Sequence, residues 1–137
     1  FLFLSQLVES SAQRRTQNVR RLRDFYIKEA LSFIESNFQR DITIEEIAAF
    51  CGLNRSYFGK VFRETMGESP QAFLLHYRMG RAAQLLKETR LSIGEIAQQV
   101  SYDNQLHFSR AFKNVHGVSP REYRQTHFVA FAPTDNG

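Results

Sequence analysis

The chain contains itself twice, and that repetition limits its fold more than any other feature. Ile44, Glu46, Ile47 and Ala48 return as Ile93, Glu95, Ile96 and Ala97, 49 residues further on. Phe58, Phe62, Gly67, Ser69, Pro70 and Phe73 return as Phe108, Phe112, Gly117, Ser119, Pro120 and Tyr123, 50 residues further on. The change of offset puts one added residue in the turn of the second copy. Each copy reads as a short helix, a tight turn, a second helix, a Gly stop and a Ser-Pro restart. Two copies are too few for a solenoid. A short helix joined to a second by a tight turn is instead a helix-turn-helix unit.

Helix starts are written along the chain. Thr43-Ile44-Glu45-Glu46 and Ser92-Ile93-Gly94-Glu95 are capping boxes. Ser69-Pro70 and Ser119-Pro120 place a cap before a Pro at the first helical position. Asn54 and Asp103 are further caps. These signals predict helices over 44–51, 55–66, 70–88, 93–100, 104–116 and 120–126. An earlier helix, 18–38, is predicted from the apolar stripe Ile27, Ala30, Leu31, Ile34 and Phe38. No alternating strand pattern competes, so the class is all-α. The helix from Pro70 to Glu88 carries the stripe Leu75, Met79, Ala82 and Leu86. At 1.5 Å per residue it is roughly 28 Å long.

Within each copy the inward positions are apolar. Ile44, Ile47, Ala48 and Cys51 of the first helix meet Phe58, Val61 and Phe62 of the second, with Leu53 plugging the turn. Opposite lie Arg55, Ser56, Gly59, Lys60 and Arg63. In the second copy Phe108, Ala111, Phe112 and Val115 point inward. Asn104, Gln105, Ser109, Arg110 and Lys113 point outward, with Leu106 and His107 beside them. These outward faces hold long donors and short polar groups with almost no acid. Arg and Lys bond guanine O6 and N7 in the major groove, and Asn and Gln match adenine. Gly59 and Ser109 leave room for close approach. Any exposed helix face is polar, but the same inward and outward order in both copies is harder to attribute to solvation alone.

Composition excludes other classes. A formal net charge of +4 permits a polyanionic partner. One cysteine rules out an internal disulfide framework and suits a reducing compartment. No apolar run is long enough to span a bilayer. The four histidines show no ligand spacing, so no metal site is expected. No phosphate loop or nucleophile motif is present, so neither catalysis nor a cofactor is expected. The chain begins at Phe1 rather than Met, and the polar stretch from Ser10 to Asn18 has the composition of a linker. The expected organisation is 1–17 as the end of an N-terminal domain plus linker, 18–128 as a double helix-turn-helix domain, and 129–137 as a flexible tail.

The run from Ile44 to Arg124 resembles the AraC/XylS family of bacterial transcription regulators. The strongest match lies in Ser92-Ile-Gly-Glu-Ile-Ala, Phe108-Ser-Arg-Ala-Phe-Lys and Gly117-Val-Ser-Pro-Arg-Glu-Tyr-Arg124. The resemblance implies a seven-helix domain with two helix-turn-helix units joined by a central helix. It further implies sequence-specific binding of double-stranded promoter DNA in two adjacent major grooves, and activation through RNA polymerase. It also implies a cytoplasmic protein, nucleoid-associated when bound, whose full-length form is a homodimer through an N-terminal ligand-sensing domain. Phe1–Glu9 resembles the last helix of that domain. By position, the resemblance makes Ser56, Gly59 and Lys60 base-facing in the first copy, and Gln105, Leu106, Ser109 and Arg110 in the second. Ser101 stands where the family often has Gly, which implies either strain in that turn or a slightly different turn angle. Ser56 and Gly59 are small, which implies less base readout from the first copy. The alternative reading is a helical protein-interaction module that binds an acidic partner.

Overall fold

The computed structural model describes residues 2–129, and these form seven α-helices and no strand. They are α1 (Leu2–Asn37), α2 (Ile44–Phe50), α3 (Arg55–Met66), α4 (Pro70–Glu88), α5 (Ile93–Gln99), α6 (Gln105–His116) and α7 (Pro120–His127). None of the helices among the described residues is long and apolar enough to cross a membrane. From α2 onward the boundaries fall within one residue of the sequence expectation.

The N-terminal part differs. The stretch from Ser10 to Asn18, expected as a linker, lies inside α1, which runs unbroken from Leu2. Neither Gly nor Pro occurs in α1, and the polar run supplies Gln, Arg and Ala, all good helix formers. Polarity alone does not stop a helix. At the other end, residues 130–137 of the expected tail lie outside the described residues. Val129 is tethered, its amide donating to the Lys87 carbonyl at 3.0 Å. The cap of α6 is Asn104 rather than Asp103. The added turn residue shifts the offset to 50, so Asn104, not Asp103, is the counterpart of Asn54.

Two compact units emerge. The first takes in α1 up to Glu35 together with Thr43–Pro70, and the second takes in Ser36–Ile42 together with the chain from Gln71 onward. In the first, Ile27, Ala30 and Ile34 of α1, Ile47 and Ala48 of α2, and Phe58, Val61 and Phe62 of α3 are buried. Cys51 belongs to this core. Its thiol donates to the Tyr26 carbonyl at 3.5 Å, and burial, aided by Glu29, pushes its pKa up to about 11. A thiol held protonated is a poor nucleophile.

In the second unit, α4 buries Leu74, Met79, Ala82, Ala83 and Leu86. Leu74 is buried where the stripe named Leu75, which is only half-buried. Two arginines close helix ends here. Arg78 donates from Nε to the Phe38 carbonyl at 3.1 Å and from Nη2 to the Arg40 carbonyl at 2.9 Å. Arg124 donates likewise to Leu86 and Thr89, at 3.1 and 3.2 Å. Each guanidinium satisfies carbonyls left over at or beyond a helix C-terminus, of α1 and α4 respectively. Burial pulls Arg78 below its ordinary pKa, opposed by Tyr102 and Asp41.

The two turns solve one geometric problem with different residues. Gly52 has φ of 74° and Ser101 has φ of 69°. Ser101 is the one non-Gly residue at positive φ among the described residues, in a region that costs an L-residue roughly 1–2 kcal/mol. Ser101→Gly removes that cost but adds backbone freedom to the unfolded chain. The expected outcome is a gain of about 1 kcal/mol in urea unfolding, with Gly52→Ser losing a similar amount. An unchanged or lower midpoint for Ser101→Gly would refute strain in this turn.

Candidate nucleic-acid interface

In the first unit, α2 opens with a complete capping box. The Glu46 amide donates to Thr43 Oγ1 at 3.1 Å, and the Thr43 amide to Glu46 Oε1 at 3.2 Å. Asn54 caps α3 by accepting from the Tyr57 amide at 2.8 Å. The rings of Phe58 and Phe62, both fully buried, lie 5.6 Å apart and fix the rotation of α3. Because one face is pinned, the opposite face must meet solvent. Ser56, Lys60 and Arg63 are exposed there, and Gly59 is half-buried. A Cβ built on Gly59 would meet no atom within 4 Å, so its lack of a side chain answers no need inside the protein.

Arg55, expected on the reading face, is tied back to α2. Its Nη1 lies 2.6 Å from Glu45 Oε2. The Glu45 carboxyl is held below its usual pKa, first by a backbone hydrogen bond and then, against slight burial, by Arg55. Glu64, the acid of α3, pairs with Arg23 at 3.3 Å.

The second unit repeats this plan. Ser92 and Glu95 form a reciprocal box at 3.0 and 2.8 Å, which holds Glu95 below the usual carboxylate pKa. Phe108 and Phe112 are fully buried, with rings 6.0 Å apart. Phe112 continues into an aromatic column. His116 lies 4.3 Å from it and contacts the Met79 carbonyl through Nε2 at 3.1 Å, while Tyr123 meets Phe112 edge-on. Outward, Gln105, Leu106, Arg110 and Lys113 are exposed and Ser109 is half-buried. Asn104, expected as a reader, spends its side-chain oxygen on the His107 amide at 3.0 Å. No acid lies on α6.

The structure thus gathers Ser56, Gly59, Lys60 and Arg63 on one helix face, and Leu106, Ser109, Arg110 and Lys113 on another. Lys60, Arg63, Arg110 and Lys113 make no ion pair among the described residues. Arg55 and Asn104 are engaged at the starts of their helices. Sequence reasoning passed over a paired contact. Gln105, the counterpart of Arg55, leans on α5, where a Cβ on Gly94 would lie 3.1 Å from Gln105 Oε1. Gly94 is itself the counterpart of Glu45. The opposite charges of Glu45 and Arg55 signal the contact in the first copy, and Gly94 and Gln105 carry no such signal in the second.

A family model described as a helix-turn-helix domain matches residues 43–126. The lactose operon transcription activator of Staphylococcus xylosus is 39% identical over 102 residues, 74% of this chain and 36% of that protein. The chain therefore matches only about a third of that relative's length. The C-terminal domain of AraT, a response regulator from Geobacillus stearothermophilus, superposes with a TM-score of 0.76 at 38% identity, covering 80% of this chain and 91% of that one. A transcriptional regulator from Chromobacterium violaceum, described as having an AraC-type DNA-binding domain, gives a TM-score of 0.72 at 29% identity, covering 78% and 96%. With the doubled unit, the exposed donor faces and these matches together, the chain belongs to the AraC-type helix-turn-helix family of DNA-binding transcription regulators, which are not enzymes.

Proposed function

We propose that this chain recognises a bipartite promoter site, with α3 in one major groove and α6 in the adjacent one. AraC-type domains bind double-stranded DNA. The observation that carries the finer reading is the repeated outward face, rich in donors and opposite a buried phenylalanine pair in each copy, with no acid on α6 and the one acid of α3, Glu64, paired to Arg23. Lys60, Ser109 and Arg110 read base edges, joined by Gln105 once its side chain leaves α5, with Ser56 and Gly59 allowing close approach. Arg63 and Lys113 hold phosphates and set the register. Arg55 and Asn104 act at the helix starts. The bound regulator activates transcription by engaging RNA polymerase, as a homodimer through a further N-terminal domain. The similarity to a lactose operon transcription activator supports the activating role.

Selection of duplexes from a random pool tests the bipartite reading. One enriched site with two sub-motifs about 10 base pairs apart is expected. A single sub-motif would remove one helix from the reading, and no enrichment would overturn sequence-specific binding. Affinity should fall steeply with salt, by roughly 0.9 log units per log unit for each phosphate neutralised.

Arg110→Ala is expected to weaken binding to the selected duplex by about 1–3 kcal/mol and to relax one base preference in a gel-shift series. Equal losses on selected and random duplexes would demote Arg110 to a phosphate contact. Lys60→Ala should behave alike for the other sub-motif.

Gly59→Ala separates folding from reading. Alanine gains about 1 kcal/mol of helix propensity at a site with open space. Higher thermal stability together with weaker duplex binding is expected. Undiminished binding would show that the groove floor does not approach Gly59.

A further inference from the structure

Leu106 breaks the polar character of the outward face of α6. It is 56% exposed, whereas Phe108 and Phe112 of the same helix are fully buried. It occupies the second helical position after the Asn104 cap. A hydrophobic staple would join the residue before the cap to the fourth helical position. Those residues are Asp103 and Phe108, so Leu106 takes no part in one. Its counterpart in the first copy is Ser56, so the repeat does not demand an apolar residue there. Ser109 and Arg110 follow at three and four residues, which places all three along one strip of the helix. Leu106 and Arg110 are then about 6 Å apart along the axis.

Single exposed leucines are ordinary on protein surfaces. This one stands among the donors that face the groove. A leucine neither donates nor accepts a hydrogen bond. The major-groove feature that an apolar side chain recognises is the C5-methyl group of thymine.

We propose that Leu106 is a specificity-determining residue that packs on the C5-methyl of a thymine, close to the base pair whose guanine Arg110 engages. This rests on the reading of α6 as a groove-entering helix. The target chemistry is a methylated pyrimidine edge. Thymine supplies it, and uracil lacks it while keeping every hydrogen-bonding group.

The test uses the duplex enriched by the chain from a random pool. The α6 half is identified as the half whose preference Arg110→Ala relaxes. Thymines in that half are replaced one at a time by deoxyuridine, which removes the methyl alone. For the unaltered chain, one replacement should lower affinity about fourfold, the worth of one buried carbon group. Leu106→Ala should bind the thymine and uracil duplexes equally, with its melting temperature unchanged, because alanine suits an exposed helix position. Arg110→Ala should bind more weakly yet retain the thymine preference. A flat uracil series for the unaltered chain, or a preference that persists in Leu106→Ala, would overturn the role of Leu106 and leave the DNA reading intact. Failure to enrich any duplex would overturn both.

Discussion

Two pairs of phenylalanines, Phe58 with Phe62 and Phe108 with Phe112, decide where everything else in this protein points. Each pair is four residues apart on its helix and fully buried. Truncating a buried phenylalanine typically costs 3–5 kcal/mol, far more than any contact on the outer faces can return. Rotating α3 or α6 by one residue would expose a ring and begin to bury Lys60 or Arg110, and burying an unpaired charge is costlier still. The outward display of donors follows from the inward anchoring of rings. It requires no interaction of its own.

The two copies fasten the start of the second helix differently. In the first, Arg55 and Glu45 form an exposed ion pair, their side chains 53% and 60% accessible. Such pairs are weak and screened by salt, so in the proposed reading Arg55 exchanges Glu45 for a phosphate at little cost. In the second, a neutral Gln105 rests on Gly94, and no charge is held. At that position the second copy therefore holds neither an acid nor a committed cation, and the neighbouring Glu95 is engaged in the capping box with Ser92.

Much of this was legible in the sequence because the decisive interactions are local or periodic. Capping boxes act over three residues, the phenylalanine pairs over four, and the repeat displays each twice. The cap at Asn104 was legible too, once the offset of 50 was applied to Asn54. What escaped depends on chain segments meeting from far away. Arg78 and Arg124 reach carbonyls 35 to 40 residues distant, and no spacing rule marks an arginine for that task. The exchange of Leu75 for Leu74 on α4 has a related origin. A stripe read from one helix gives a direction only to within a residue, and the neighbours choose the side. The continuation of α1 through its polar run follows from the absence of any helix breaker, a signal that linker-like composition masks.

The side chains on the two outer faces differ in what they can discriminate. Lys60 is a compact charge on a flexible stem, flanked by Ser56 and the bare Gly59. It can favour an acceptor without fixing a geometry. Arg110 presents a planar fork that can engage O6 and N7 of one guanine together. Leu106 and Ser109 lie within one turn of it, on the same strip. A face with a fork, an apolar surface and a hydroxyl can impose several independent conditions on adjacent base pairs. A face with one mobile ammonium imposes fewer. In the proposed reading, the second unit therefore supplies most of the sequence discrimination. The first contributes close approach and charge, because a helix bearing Gly59 can sit deep in a groove whose sequence it constrains only loosely.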